Sequence, residues 1–296
     1  MTTRSPSPSL SLVTVAPMLF VSIWATGFLV ARLIAGHADP LTFLTIRFAL
    51  TACVFFALAM AAGISWPRSL SVWRDCALAG ALLQGVYLAG VFWSVSHGLP
   101  AAVCALITGL QPLLTAALAE PLLGERVTRR QWLGILIGFL GAGLVLAPQF
   151  GSSFPSATPV TIALAGIATV AITLGTIWQK HTGSRVDLRA GATIQFGASA
   201  ILVGALAALT EGGRFDMTWQ SIVGLGWSVA GLSVGGMTLL LLMIGRSAVS
   251  AVASMFYLVP PVVAVIAFLV FGEALTILQI CGLVTAAIGV AVATRT

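Results

Sequence analysis

Charge is what this sequence has least of. Lys, Arg, Asp and Glu make up 7% of its 296 residues, against about a quarter in a soluble domain. A chain so poor in charge cannot clothe a water-facing surface, which excludes a soluble globular protein. Acid is scarcer than base, 8 residues against 14. The net charge of +6 therefore reflects missing Asp and Glu; no run of five like charges exists that could grip nucleic acid. Cysteine is scarce too. Cys53, Cys76, Cys104 and Cys281 form no C-x-x-C, so neither a disulfide framework nor a zinc site is indicated. The sequence holds no H-E-x-x-H, no G-x-S-x-G and no pair of mid-membrane carboxylates. An intramembrane enzyme lacks its groups, and no cofactor or metal is expected.

Long apolar runs are what the sequence does have. Hydrophobic residues make up 59% and the mean hydropathy is +1.07. A helix that crosses the hydrocarbon needs about 20 mostly apolar residues. Ten segments qualify: 12–34, 41–63, 76–97, 100–121, 129–147, 160–179, 190–209, 221–244, 248–271 and 277–294. The first is longer than the apolar core of a signal peptide and lacks a small-residue cleavage site, so it reads as an uncleaved span. With the N-terminus in the cytoplasm, eleven basic residues fall on the cytoplasmic side: Arg4, Arg68, Arg74, Arg126, Arg129, Arg130, Lys180, Arg185, Arg189, Arg246 and Arg295. Only Arg32 and Arg214 fall opposite, and Arg47 lies within a span. This asymmetry sets both termini in the cytoplasm.

The chain also repeats itself. At an offset of 148 residues, Pro112 falls on Pro260, Gly124-Glu125 on Gly272-Glu273, Thr128 on Thr276, Gln131 on Gln279, Gly134 on Gly282 and Gly141 on Gly289. Two units are expected, 1–148 and 149–296, each with five spans. Five is odd, so the second unit enters the membrane upside down. The loops agree: Arg126, Arg129 and Arg130 follow Gly124-Glu125, whereas Ala274, Ile277 and Leu278 follow Gly272-Glu273. Inverted repeats are the architecture of secondary transporters, with the solute site near mid-membrane between the halves. The fold expected is all-α and integral to the membrane, ten transmembrane helices in two inverted-topology five-helix repeats around a central cavity.

Ten spans in two inverted units, each with a Pro-bearing span, a Gly-Glu turn and T-x-x-Q-x-x-G, resemble the EamA family of the drug/metabolite transporter superfamily. The resemblance covers essentially the whole chain. Within the family it extends to bacterial exporters of aromatic amino acids of the YddG type. It implies a multi-pass protein of the bacterial inner membrane that exports small molecules from the cytoplasm. It also implies a cavity lined mainly by spans 1, 3, 4, 6, 8 and 9.

Candidate lining residues in those spans are Trp24 and Thr26; Gln84, Tyr87, Trp93 and Ser94; Thr108 and Gln111; Thr176 and Trp178; Thr238; and Met255 and Tyr257. Each has a bland alternative, since Trp and Tyr also gather at membrane interfaces. Thr128-x-x-Gln131 and Thr276-x-x-Gln279 read as capping boxes. Pro112 and Pro260 interrupt spans 4 and 9 at equivalent points and are candidate hinges. Arg47 either faces the cavity, bonds a neighbouring helix or snorkels to the interface. No Asp or Glu lies at mid-membrane depth, where a proton relay would want one. The expected function is export of neutral or zwitterionic metabolites, above all aromatic and Thr- or Met-like amino acids, by alternating access without a buried-carboxylate relay. Nucleosides, other amphipathic compounds or a channel are the alternatives. The partners expected are the small-molecule substrate and membrane lipid, and a monomer meets these needs.

Overall fold

The computed structural model describes residues 12–34, 36–99, 101–148, 158–182, 185–247, 249–259, 261–262, 265–266, 269 and 276–294. Among these the chain is helical, with one isolated antiparallel bridge between Ala38 and Phe215. The helices are α1 (Leu12–Ile34), α2 (Pro40–Ala61), α3 (Leu70–Gly80), α4 (Tyr87–Ser96), α5 (Ala101–Thr108), α6 (Gln111–Leu123) and α7 (Arg129–Leu146). They continue with α8 (Pro159–Thr182), α9 (Leu188–Thr210), α10 (Trp219–Trp227), α11 (Met237–Arg246), α12 (Val249–Ser254) and α13 (Ile277–Thr294). Among the described residues, eight helical stretches are long and apolar enough to cross a membrane, and Ala16–Gly27 and Val249–Leu258 are shorter apolar helices. Their outer faces are apolar: Leu140, Ile201, Leu269 and Ile277 are each more than 60% exposed, as lipid-facing side chains are. Cys53 and Cys281 are exposed as well, whereas Cys76 and Cys104 are buried.

Local chemistry sets the helix ends. Thr128 and Gln131 form the expected capping box on α7, and Thr276 bonds Gln279 in the same way, at 3.0 Å from Thr276 N to Oε1 and 3.2 Å from Gln279 N to Oγ1. Gly124 closes α6 in the left-handed conformation, φ +70°, which only glycine adopts without strain. At the head of α2, Glu211 accepts from the backbone N–H groups of Leu41 and Thr42, both at 2.7 Å. A carboxylate there satisfies free donors and complements the helix dipole. Beside it Arg214 bonds Asp216 and holds that carboxyl below the usual carboxylate range.

Helices α7 and α13 approach closely enough for their backbones to touch. A Cβ on Gly134 would fall 2.7 Å from the Gly289 carbonyl oxygen, and one on Gly282 would fall 2.8 Å from that of Gly141. The offset of 148 residues turns Gly134 into Gly282 and Gly289 into Gly141, so it interchanges the two contacts. Small residues at such seams are the usual device where lipid offers no hydrophobic drive.

Four stretches depart from α-geometry. Between α3 and α4 the chain is π-helical over Ala81–Val86, and between α10 and α11 over Ser228–Gly236. Between α5 and α6 it turns at Gly109-Leu110, and after α12 it tightens to a 3₁₀ helix over Met255–Leu258. Adding 148 carries 81–86 onto 229–234 and 109–110 onto 257–258. Each departure therefore has its counterpart one offset away.

Candidate functional site

A cavity of ≈ 70 Å³ lies where the α5–α6 turn meets the 3₁₀ segment, walled also by α1, α4, α7 and α8. Several waters fit in such a volume. Its described lining carries no charged side chain. The walls are aromatic. Trp24 meets Phe256 edge to face at 5.6 Å, and Phe139 meets Tyr257 at 6.2 Å. Gly138 makes the second pair possible, since a Cβ there would fall 2.6 Å from the Tyr257 ring.

Two polar atoms of residues that line this cavity lack a partner. The Gln111 Oε1 and the Tyr257 hydroxyl are both buried and unbonded, while Gln111 Nε2 donates to Thr115 Oγ1 at 3.2 Å. A buried polar atom without a partner costs about 1–3 kcal/mol. A bound solute that bonds both would recover that energy. Thr108 also lines the cavity, but its hydroxyl already donates to the carbonyls of its own helix, Cys104 at 3.0 Å and Ala105 at 3.1 Å.

Of the sequence candidates, Trp24, Tyr87, Thr108, Gln111 and Tyr257 come together on this cavity. The others lie elsewhere. Thr26 accepts from Trp227 Nε1 at 2.8 Å and so ties α1 to α10. A 3.6-residue period puts Gln84, Tyr87 and Ser94 near one face. The π segment runs through Gln84 and shifts its phase against α4, while Ser94 lies two turns beyond Tyr87 along that regular helix, so the three find different neighbours. Gln84 is buried against Ser199 of α9, and Ser94 donates to the Thr161 carbonyl of α8 at 3.0 Å. Trp93 stacks on His97 at 3.6 Å at the end of α4. Thr176 bonds the Ile172 carbonyl of its own helix, and Trp178 donates to the Asp75 carbonyl at 3.2 Å. Met255 packs between the two main apolar clusters, and Thr238 is half-buried in α11.

Pro112 is the second residue of α6, a position where its missing N–H breaks no helical bond. It starts a new helix after the Gly109-Leu110 turn; it does not kink a continuous one. Pro260 lies outside the described residues. Arg47 does not snorkel: it is buried and donates from Nε to Ser233 Oγ at 2.9 Å. Phe139 and Phe256 were hidden from a search for polar groups. Gly138 beside Phe139 is the one sequence signal that a ring could pack there.

Among the described residues, a helical bundle with apolar outer faces and eight stretches long enough to cross a membrane defines a multi-pass membrane protein. A family model matches the chain twice, over residues 12–147 and 160–295, and its description is "EamA-like transporter family". The chain belongs to that family, which is one of transporters. It is 25% identical to "Uncharacterized transporter YvbV" of Bacillus subtilis over 89% of this chain and 85% of that protein. It is also 25% identical to a "Probable amino-acid metabolite efflux pump" of Escherichia coli, over 91% and 90%. A "Probable terminal-alkyne amino-acid exporter" of Streptantibioticus cattleyicolor is 28% identical over 73% and 72%. A solved crystal structure superposes with a TM-score of 0.81 over 97% of this chain and 98% of that one at 20% identity, which shows the shared fold.

Proposed function

We propose that the protein is a carrier that exports neutral or zwitterionic amino acids and related metabolites from the cytoplasm, aromatic ones foremost, as the YddG-type resemblance implies. Export proceeds by alternating access down the solute gradient, without a buried-carboxylate proton relay. The observation that carries this reading is the cavity. At ≈ 70 Å³ the cavity admits water and must widen to take an amino acid; its aromatic walls then suit a planar apolar group, and Gln111 and Tyr257 carry unpartnered polar atoms for its polar end. A cavity without charge suits neither a cationic drug nor a phosphate ester. The names of the Escherichia coli and Streptantibioticus relatives are consistent with amino-acid export.

The mechanism follows from the proposed architecture of ten spans in two inverted units, 1–148 and 149–296. Its supports are the double family match, the interchanged glycine contacts of α7 and α13, and the paired departures from α-geometry. Two related halves give two equivalent packings, one open to each side. The Gly109-Leu110 turn before Pro112 is the described place where a cavity helix can bend. The protein sits in the bacterial inner membrane with both termini cytoplasmic, as the loop charges require.

Proteoliposomes loaded with labelled Trp, Phe, Thr or Met test this directly. Saturable counterflow of at least one is expected, unchanged when a proton gradient is imposed. Gln111→Ala and Tyr257→Phe should each raise the apparent KM about tenfold, one lost hydrogen bond to a buried partner. Absence of movement for all four amino acids would remove the substrate assignment. Strict dependence on the gradient would remove the uniport mechanism.

A further inference from the structure

One ion pair in this chain ties together the same ends of three helical regions that line the cavity. Glu125 follows α6, Lys180 ends α8, and Val249 opens α12, which leads into Met255–Val259. Lys180 Nζ lies 3.7 Å from Glu125 Oε1 and donates to the Ser247 carbonyl at 2.7 Å. Glu125 Oε2 accepts from Val249 N–H at 3.0 Å. The linker between α11 and α12 is thus held from both sides. The charges also suit the helix ends they meet, a cation at the C-terminus of α11 and a carboxylate at the N-terminus of α12. Both side chains are about a quarter exposed, 23% and 26%, so water reaches the pair and it can exchange partners.

Its position relative to the cavity is defined by α6. Gln111 at the start of that helix lines the cavity, and Glu125 lies fourteen residues further on, roughly 20 Å away at the helical rise. Between them α6 and α12 pack directly on each other. On this side α6 lies against α12, and the Glu125–Lys180 pair fastens that seam at its outer end.

The sequence copies the pair. At the offset of 148 residues Lys180 falls on Arg32 and Glu125 on Glu273, and no other basic residue falls on a basic one. Among acids only Asp39 and Asp187 also match, and both head helices, α2 and α9. The Arg32 side chain and Glu273 lie outside the described residues. An acid and a base kept at corresponding positions of the sequence, while nearly all other charge diverged, fit a part that each state of the carrier needs. We infer that Glu125 and Lys180 form the latch of the cytoplasmic gate, closed in this structure, whose opening exposes the α6–α12 seam. The inference rests on the proposed alternating-access mechanism and on the cytoplasmic placement of this loop.

Cysteine accessibility tests it without a substrate. Ser254 is buried in α12 between latch and cavity. Ser254→Cys is compared with the parent chain, which keeps its four native cysteines, using a membrane-impermeant maleimide on inside-out and right-side-out vesicles. Glu125→Gln and Lys180→Met should each raise labelling of that cysteine from the cytoplasmic side about tenfold, and not from the other side. Lys180→Arg, which keeps the charge, should label like the parent. Folded variants that all label alike would overturn the latch. So would loss of the folded protein in both Glu125→Gln and Lys180→Met, because the pair would then hold the fold and not a gate. If labelling responds but no amino acid moves in proteoliposomes, the latch stands and the substrate assignment falls.

Discussion

The two π-helical segments make the sharpest comparison in the molecule. They occupy positions 148 residues apart, yet each is held to its neighbour by different chemistry. The first, after α3, is held by backbone contact: a Cβ on Gly80 would collide with the Gln195 backbone of α9, and Ser199 Oγ donates to the Gly80 carbonyl at 2.9 Å. In the second, Ser228 stands where Gly80 does and Arg47 where Gln195 does. There a long side chain reaches across, from Arg47 Nε to Ser233 Oγ. The backbone irregularity is common to both segments, while the side chains that secure it differ. A π segment leaves carbonyls without their α-helical partners and often marks a functional site. Something must secure it, and glycine contact and a buried guanidinium are two solutions to one problem.

Substitutions can break this comparison in a definite order. Gly80→Ala should act most strongly, since the new methyl meets backbone and not a movable side chain. A loss of about 3 kcal/mol is expected, read as a lowered thermal unfolding midpoint in detergent. Arg47→Ala removes a charged hydrogen bond and leaves Ser233 Oγ bare. It should cost about 2 kcal/mol in denaturant titration. Ser199→Ala removes a neutral interhelical bond, and about 1 kcal/mol or less should be lost by the same measurement. The smallest effect sharpens the contrast most. Ser228 Oγ is buried and has no partner, so Ser228→Ala should leave stability unchanged or raise it slightly. Equal costs at Gly80 and Ser228 would mean that the two segments are secured alike after all.

Much of the scaffold was legible in the sequence because local rules govern it. The threonine–glutamine caps, the Gly124-Glu125 turn and the apolar spans depend on neighbours a few residues away. The cavity was only partly legible. Trp24, Tyr87, Thr108, Gln111 and Tyr257 were found as polar or aromatic residues in the right spans. Gln84 was grouped with Tyr87 by a regular helical period that the π segment does not obey, and Ser94 shares the Tyr87 helix but meets α8 two turns away. Phe139 and Phe256 escaped because an apolar ring in an apolar span carries no signal of which way it faces.

By itself the sequence determined that this chain lives in a membrane, the approximate course of most of its described spans, and that its residue pattern recurs. Hydropathy, loop charge and recurrence are properties of residue order alone. Only the tertiary structure decided which side chains meet: Arg47 on Ser233, Glu125 on Lys180, Gly134 on Gly289. Those pairings join residues up to about 190 positions apart. They depend on helix phase, which a single π turn resets, and on how closely two backbones approach, which an absent Cβ permits but does not itself bring about.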